Sequence, residues 1–322
     1  MTQRTALIFG ISGQDGAYLT QHLINHGYAV HGASRDAANR GFDGLATLGV
    51  RDCVTLHSVS TLDREQLGQL VAEVAPDEIY NLGGQSSVGL SFDQPLETFH
   101  SNVTGTANLL ETIRLSKPDT RFYNACSGEC FGDLGEGEAA DEATAFRPVS
   151  PYAAAKATAF WMVLCYRESY GLHASSGILF NHESPLRPAR FVTRKIVAAA
   201  ARIAAGSEET LTLGDTTIHR DWGWAPEYME AVRRMVQLDD PEDFVIATGV
   251  SHSLQAFVAT AFDHFGLNWA DHVKTDPSFF RPSEIRQNAG NAAKAARLLD
   301  WQATVTMPEV VARMAEAEAT GH

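Results

Sequence analysis

The first 34 residues leave this chain few choices of fold. Residues 5–10 (TALIFG) are a short apolar run ending on glycine, the pattern of a buried strand. Residues 14–25 carry Tyr18, Leu19, His22 and Leu23 at helical spacing, and Gly27 closes that helix. Residues 28–34 (YAVHGAS) read as a second strand. Strand, glycine turn, helix and strand make one βαβ unit, which forces its two strands to run parallel. The alternation then continues. Strands are expected at 54–59, 78–82, 121–125 and 175–180, with helices at 64–74 and 96–115. A further helix starts near Ser150-Pro151, with serine as cap and proline in the first turn.

Such alternation implies an α/β protein, a Rossmann-like doubly wound parallel sheet covered on both faces. Beyond residue 181 the pattern loosens. Helices are expected at 193–205, 225–238, 291–299 and 308–317, and strands at 210–213 and 243–248. Ser253 caps another helix bearing Leu254, Phe257, Val258, Phe262 and Phe265 on one face. We therefore expect a Rossmann-like domain over 1–180, with return segments near 215–250. A smaller discontinuous α/β lobe covers most of 181–322. The Gly- and Glu-rich stretch 133–148 reads as an exposed loop.

Net charge argues against some partners. At −14, the chain lacks the basic surface that nucleic acid demands. A few local arginines still suffice for an anionic small ligand. No apolar run is long enough to span a bilayer, so no membrane partner is expected. The start leads directly into a strand, which reads as a cytoplasmic protein without a signal peptide. Cys53, Cys126, Cys130 and Cys165 match no zinc spacing and read as buried thiols. His182-Glu183 lacks the second histidine of a zincin, and no metal is expected.

Gly10, Ser12, Gly13, Gln14, Asp15 and Gly16 form a Gly-x-x-Gly-x-x-Gly turn between strand and helix, the context of dinucleotide binding. The tip of the second strand chooses the cofactor. It is neutral Ser34 followed by Arg35, which points to the 2′-phosphate of NADP, while Asp36 keeps NAD possible. Tyr152 and Lys156 are four apart and share a helix face. An ammonium beside a phenol favours the phenolate and so makes a base. Ser127 and Glu129 follow the strand 121–125, where ligands of a doubly wound sheet bind.

The chain resembles the GDP-mannose 4,6-dehydratase family, within the extended short-chain dehydrogenase/reductase superfamily. The motifs are GISGQDGAYL (10–19), EIYNLGGQSSVGLSF (78–92), RFYNACSGECFG (121–132), SPYAAAK (150–156), NHESP (181–185), FVTRKI (191–196), RDWGWAPEY (220–228) and FFRPSEI (279–285). The resemblance implies a lyase that uses NADP transiently. Tyr152, supported by Lys156, is the base at the sugar C4 hydroxyl, which Ser127 hydrogen-bonds. Glu129 removes the C5 proton and helps the C6 hydroxyl leave as water. Cofactor contacts implied are the turn 10–16, Arg35, Leu82, Gly83, Gln85, Ser86, Tyr152, Lys156, His182 and Arg187. A GDP-sugar would be held by Ser86, Asn181, Lys195, Arg220, Arg281 and Glu284. A homodimer or dimer of dimers is implied, with helix 96–115 at the interface.

The chain departs from the family pattern in four places. Arg35-Asp36-Ala37-Ala38-Asn39-Arg40 replaces an Arg- and Ser-rich run, and 57–61 (HSVST) lacks the acidic residue expected at the adenine. Gly128, Cys130 and Phe131 differ from the commoner residues, as does Pro188-Ala189-Arg190. These changes leave room for another GDP-sugar, such as a GDP-heptose. A nucleotide-sugar C4 reductase or epimerase is the other enzymatic reading, and a C4 reductase has no use for Glu129. A catalytically silent binding module would have lost Tyr152 or Lys156, and both are present.

Overall fold

The computed structural model describes residues 3–39 and 41–320. Arg40 of the cofactor-tip run therefore lies outside the described residues. Twelve strands are present among them: β1 (Thr5–Phe9), β2 (Ala29–Ser34), β3 (Val54–Ser58), β4 (Glu78–Asn81), β5 (Arg121–Ser127), β6 (Ala174–Leu179), β7 (Asn181–Glu183), β8 (Leu211–Leu213), β9 (His219–Trp224), β10 (Phe244–Ile246), β11 (Ser251–Ser253) and β12 (Val273–Thr275). Seven build one sheet in the order β10-β6-β5-β4-β1-β2-β3. Every neighbouring pair in it is parallel. The chain leaves β1 toward β3 on one side and resumes at β4 on the other, which opens a crevice between β1 and β4.

Two apolar layers cover this sheet. One packs helices Gln14–Asn25 and Ala225–Gln237 against β1, β6 and β10. The opposite layer packs Arg64–Val74, Gly105–Ser116 and Pro151–Tyr170. A third cluster joins helices Val192–Ala204, Leu254–His264 and Met307–Thr320. No helix among the described residues is long and apolar enough to cross a membrane.

Four strands lacked a sequence signal: β7, β9, β11 and β12. Three have only three residues, too few for a period-2 pattern to emerge. In β9 (HRDWGW), the buried polar residues Arg220 and Asp221 mask the alternation. Of the three-stranded sheet β11-β9-β7, strands β7 and β9 contribute residues to the cleft. The long helix expected at 96–115 also needs correction. A helix at Val88–Asp93 precedes it, and its own span divides into Pro95–Phe99, a π turn at His100–Thr104 and Gly105–Ser116. The π turn lets Thr98, Ser101 and Asn102 all reach Gln85: Thr98 Oγ1 accepts from its amide side chain (3.0 Å), Ser101 Oγ accepts from its backbone N–H (3.2 Å), and Asn102 Nδ2 donates to its carbonyl (3.0 Å). The loop 133–148 is mostly exposed, but Ala140 is buried and bridges Gly290.

Candidate active site

At the crevice the sequence meets its tightest steric demands. Gly10 has φ +84°, and a Cβ there would lie 2.6 Å from the Leu82 carbonyl carbon. A Cβ on Gly16 would lie 2.5 Å from Gly10 O. These contacts let β1, the β4 loop and helix Gln14–Asn25 close together, as a pyrophosphate cradle requires. Gly13 caps that helix without a side chain, so the helix N-terminus stays open to an anion.

The cradle is stapled to β7. Gln14 Nε2 donates to the His182 carbonyl (3.1 Å), and Ser184 Oγ donates to Gln14 Oε1 (2.8 Å). Asp15 Oδ2 sits 3.1 Å from His182 Nε2. Burial alone would raise the Asp15 carboxyl. The His182 charge and hydrogen bond, with Gln14 and Arg187, outweigh burial and bring it down to about 2. Burial conversely works against a charged His182, but Asp15 wins and raises its pKa.

Next to the cradle lies a cavity of about 800 Å³. It gathers Asp15, Leu82, Ser86, Ser127, Glu129, Tyr152 and Lys156 from one side. From the other it gathers Asn181, His182, Arg187, Lys195, Arg220, Arg281 and Glu284. Fourteen sequence-selected residues thus converge on one space. Gly10, Gly13 and Gly16 shape the adjoining turn, with Ser12 within it and Gly83 next to it in the β4 loop, and Gln85 anchors that loop. Arg35 stands apart at the tip of β2, largely exposed and 3.8 Å from Glu97.

Ser150 Oγ accepts from Ala153 N (3.1 Å), starting the helix that presents Tyr152 and Lys156. Lys156 Nζ donates to Ala125 O (2.9 Å) and lies 5.9 Å from the Tyr152 ring centroid. Here a correction is required. The expected lysine effect does not dominate in the chain alone: burial pushes the Tyr152 phenol up, opposed by a hydrogen bond with Ser127. Burial also pushes Lys156 down. Both groups are driven toward neutrality until further charge enters the cleft.

Glu129 faces the same cavity from the 3₁₀ turn after β5. Its Oε1 lies 3.6 Å from Arg220 Nε. Arg220 is only 4% exposed. Its other nitrogens donate to His219 O, Ile285 O and Glu284 Oε1 at 2.8–2.9 Å. Arg220 therefore ties the carboxylates together, with most donors already in use. Arg281 also binds Glu284, at 3.1 Å.

Sequence reasoning passed over several cavity residues. Glu183 accepts from Thr193 Oγ1 (2.7 Å) and pairs with Arg187 (3.0 Å). Phe279 and Phe280 line the mouth, where Lys195 lies 5.4 Å from the Phe279 ring centroid. The exposed aromatic doublet before Arg281 was the available signal.

Sequence comparison decides the family. A model of the GDP-mannose 4,6 dehydratase family matches residues 7–314. GDP-mannose 4,6 dehydratase 1 of Arabidopsis thaliana is 41% identical over 98% of this chain and 90% of its own length. The Sinorhizobium fredii (strain HH103) GDP-mannose 4,6-dehydratase is 41% identical, covering 98% of this chain and 96% of that one.

The chain belongs to the GDP-mannose 4,6-dehydratase family.

Solved structures agree on the fold. A Streptomyces venezuelae dTDP-glucose 4,6-dehydratase superposes with a TM-score of 0.87 at 20% identity, covering 97% of this chain and 96% of that one. A Thermotoga maritima UDP-glucose 4-epimerase reaches 0.86 at 21%, covering 97% of each chain. One architecture thus houses both dehydratases and epimerases, so the choice of reaction rests with the side chains in the cavity.

Proposed function

We propose that this chain is a GDP-mannose 4,6-dehydratase, which converts GDP-mannose into GDP-4-keto-6-deoxymannose with NADP as its cofactor. The observation that carries this reading is Glu129, a carboxylate in the same cavity as Tyr152 and Lys156. A simple reductase or epimerase has no task for it.

When bound, the oxidised nicotinamide ring supplies positive charge and exchanges hydride with the sugar. The residues supply everything else. Tyr152, as phenolate, accepts the C4 hydroxyl proton, and Lys156 stabilises that phenolate. Ser127 orients the hydroxyl. Once C4 is a ketone, the C5 proton is acidified, so the Glu129 carboxylate can take it and help the C6 hydroxyl leave as water. Arg220 holds the Glu129 carboxylate in place. Lys195 and Arg281 provide cationic partners for a diphosphate on the opposite wall.

NADP is favoured by the strand tip. Asp36 accepts from Asn39 N (3.1 Å) and Asn39 Nδ2 (3.1 and 3.2 Å), which engages its carboxylate inside its own turn. Arg35 is left as the charged group beside Ser34. The lobe division near residue 180 is part of the same reading, with β10 and helix Ala225–Gln237 returning to the larger lobe. We also read the protein as a homodimer. Leu96 (75% exposed), Phe99 and Trp161 form an apolar surface on adjacent helices of the large lobe.

The deciding experiment is incubation of the purified chain with GDP-mannose and NADP, followed by mass spectrometry. The expected product is lighter by one water and carries a 4-keto group, with no net cofactor reduction. Stoichiometric consumption of NADPH, or an unchanged sugar, would overturn the assignment.

A further inference from the structure

Two thiols stand on either side of Glu129 in the chain. Cys126 lies near the end of β5 and Cys130 in the following 3₁₀ turn, with their sulfur atoms 3.6 Å apart. Cys126 lines the cavity, whereas Cys130 is sealed behind it. Both also brace the neighbouring helix: Cys126 Sγ donates to Lys156 O (3.9 Å) and Cys130 Sγ to Ala153 O (3.5 Å). Ser127 and Glu129 sit between the two cysteines in sequence.

We propose that Cys126 and Cys130 are a peroxide-sensitive dithiol, and that closing it into a disulfide switches the site off. Cys126 is the thiol a small oxidant meets on entering the cavity. Its sulfur attacks hydrogen peroxide, the O–O bond breaks, and Cys126 sulfenic acid and one water form. The Cys130 sulfur then attacks the Cys126 sulfur, expelling a second water and leaving the disulfide. Two electrons pass from the thiols to the peroxide, and the two thiol protons end in water.

Burial keeps Cys130 protonated until that second step, since it pushes the thiol pKa well up. Bond formation brings the sulfurs to about 2.05 Å, a closure of roughly 1.5 Å. It also removes both S–H···O contacts with the Tyr152 helix. A displacement of about 1 Å at a catalytic group costs on the order of 10²-fold in rate, so Glu129 need not move far.

The test uses the full chain with Cys53→Ser and Cys165→Ser, because those two thiols, contrary to the buried reading of the sequence, are exposed and lie outside the pair. After hydrogen peroxide, tryptic peptide 122–156, which holds both remaining cysteines, is expected to lose the mass of two hydrogens. Dehydration activity is expected to fall about 10²-fold, and dithiothreitol should reverse both changes. Adding Cys130→Ala should halt the chemistry at a Cys126 sulfenic acid that dimedone captures. Inactivation without the two-hydrogen loss, or a peptide that stays reduced, overturns the switch. If Cys130→Ala fails to fold, the peptide mass of its parent still decides. Because that mass is read without turnover, a chain inert toward GDP-mannose would refute the dehydratase reading and leave this one standing.

Discussion

Tyr152, Lys156 and Glu129 stand on one wall of the cleft, Lys195, Arg281 and Glu284 on the other, and the two walls are held in different ways. The first wall is set by local devices. Ser150 caps the helix bearing Tyr152, and Ser127 Oγ accepts from Glu129 N (3.3 Å) to start the turn that presents Glu129. The far wall relies on contacts distant in sequence, such as Arg220 on Glu284 and on Ile285 O. Arg220 bridges the two walls through Glu129. On the function proposed above, chemistry belongs to the locally built wall and substrate capture to the wall assembled late in the chain.

The strongest way to break this comparison is Tyr152→Phe. Losing the general base should lower kcat by about 10³-fold with KM for GDP-mannose little changed, as read by steady-state kinetics. A KM effect of similar size would place Tyr152 in capture instead. Glu129→Gln comes next, with kcat expected down about 10²-fold. Oxidation at C4 should still proceed, so near-ultraviolet absorbance of reduced nicotinamide should build up during turnover. Its absence would remove Glu129 from the elimination step.

The staple between cradle and far wall can be tested by acid. Asp15 has a folded pKa of about 2 against an ordinary 3.8, so its contribution is present above about 3.8 and is lost as pH falls toward 2. Urea unfolding should show about 2 kcal/mol less stability across that window, and Asp15→Asn should flatten the loss. For His182 the sign reverses: its pKa is raised, so its contribution is complete below about 6.5 and fades as pH rises through the folded value. The smallest effect should come from Arg35→Ala. At an exposed tip, loss of one phosphate partner should shift the NADP-to-NAD preference in kcat/KM by about 10-fold, and an unchanged ratio would sink the NADP reading.

Much of the site was legible because its parts lie within short motifs. Gly10-x-x-Gly13-x-x-Gly16, Ser127-x-Glu129 and Tyr152-x-x-x-Lys156 each have spacing that backbone geometry translates directly into position. Glu183 was less legible, since its partners Arg187 and Thr193 have meaning only once β7 and helix Val192–Ala204 are adjacent. Arg220 looked like a free cation for phosphate, yet folding commits most of its donors to Glu284 and two backbone carbonyls. At Tyr152 the expected pull of Lys156 is outweighed by burial in the chain alone, for a related reason. A Tyr–Lys spacing shows proximity, but burial is a property of the packed molecule.

The alternation of strands and helices, the glycine turn and the capped Tyr152 helix were determined by the sequence itself, because each depends on periods and spacings of a few residues. The three-stranded sheet β11-β9-β7, the carboxylate–guanidinium network around Arg220 and the desolvation of Tyr152 were decided only in the tertiary structure. Their energies come from groups up to about 155 residues apart in the chain, as Glu129 is from Glu284, and no local pattern encodes the dielectric or the partners they finally meet.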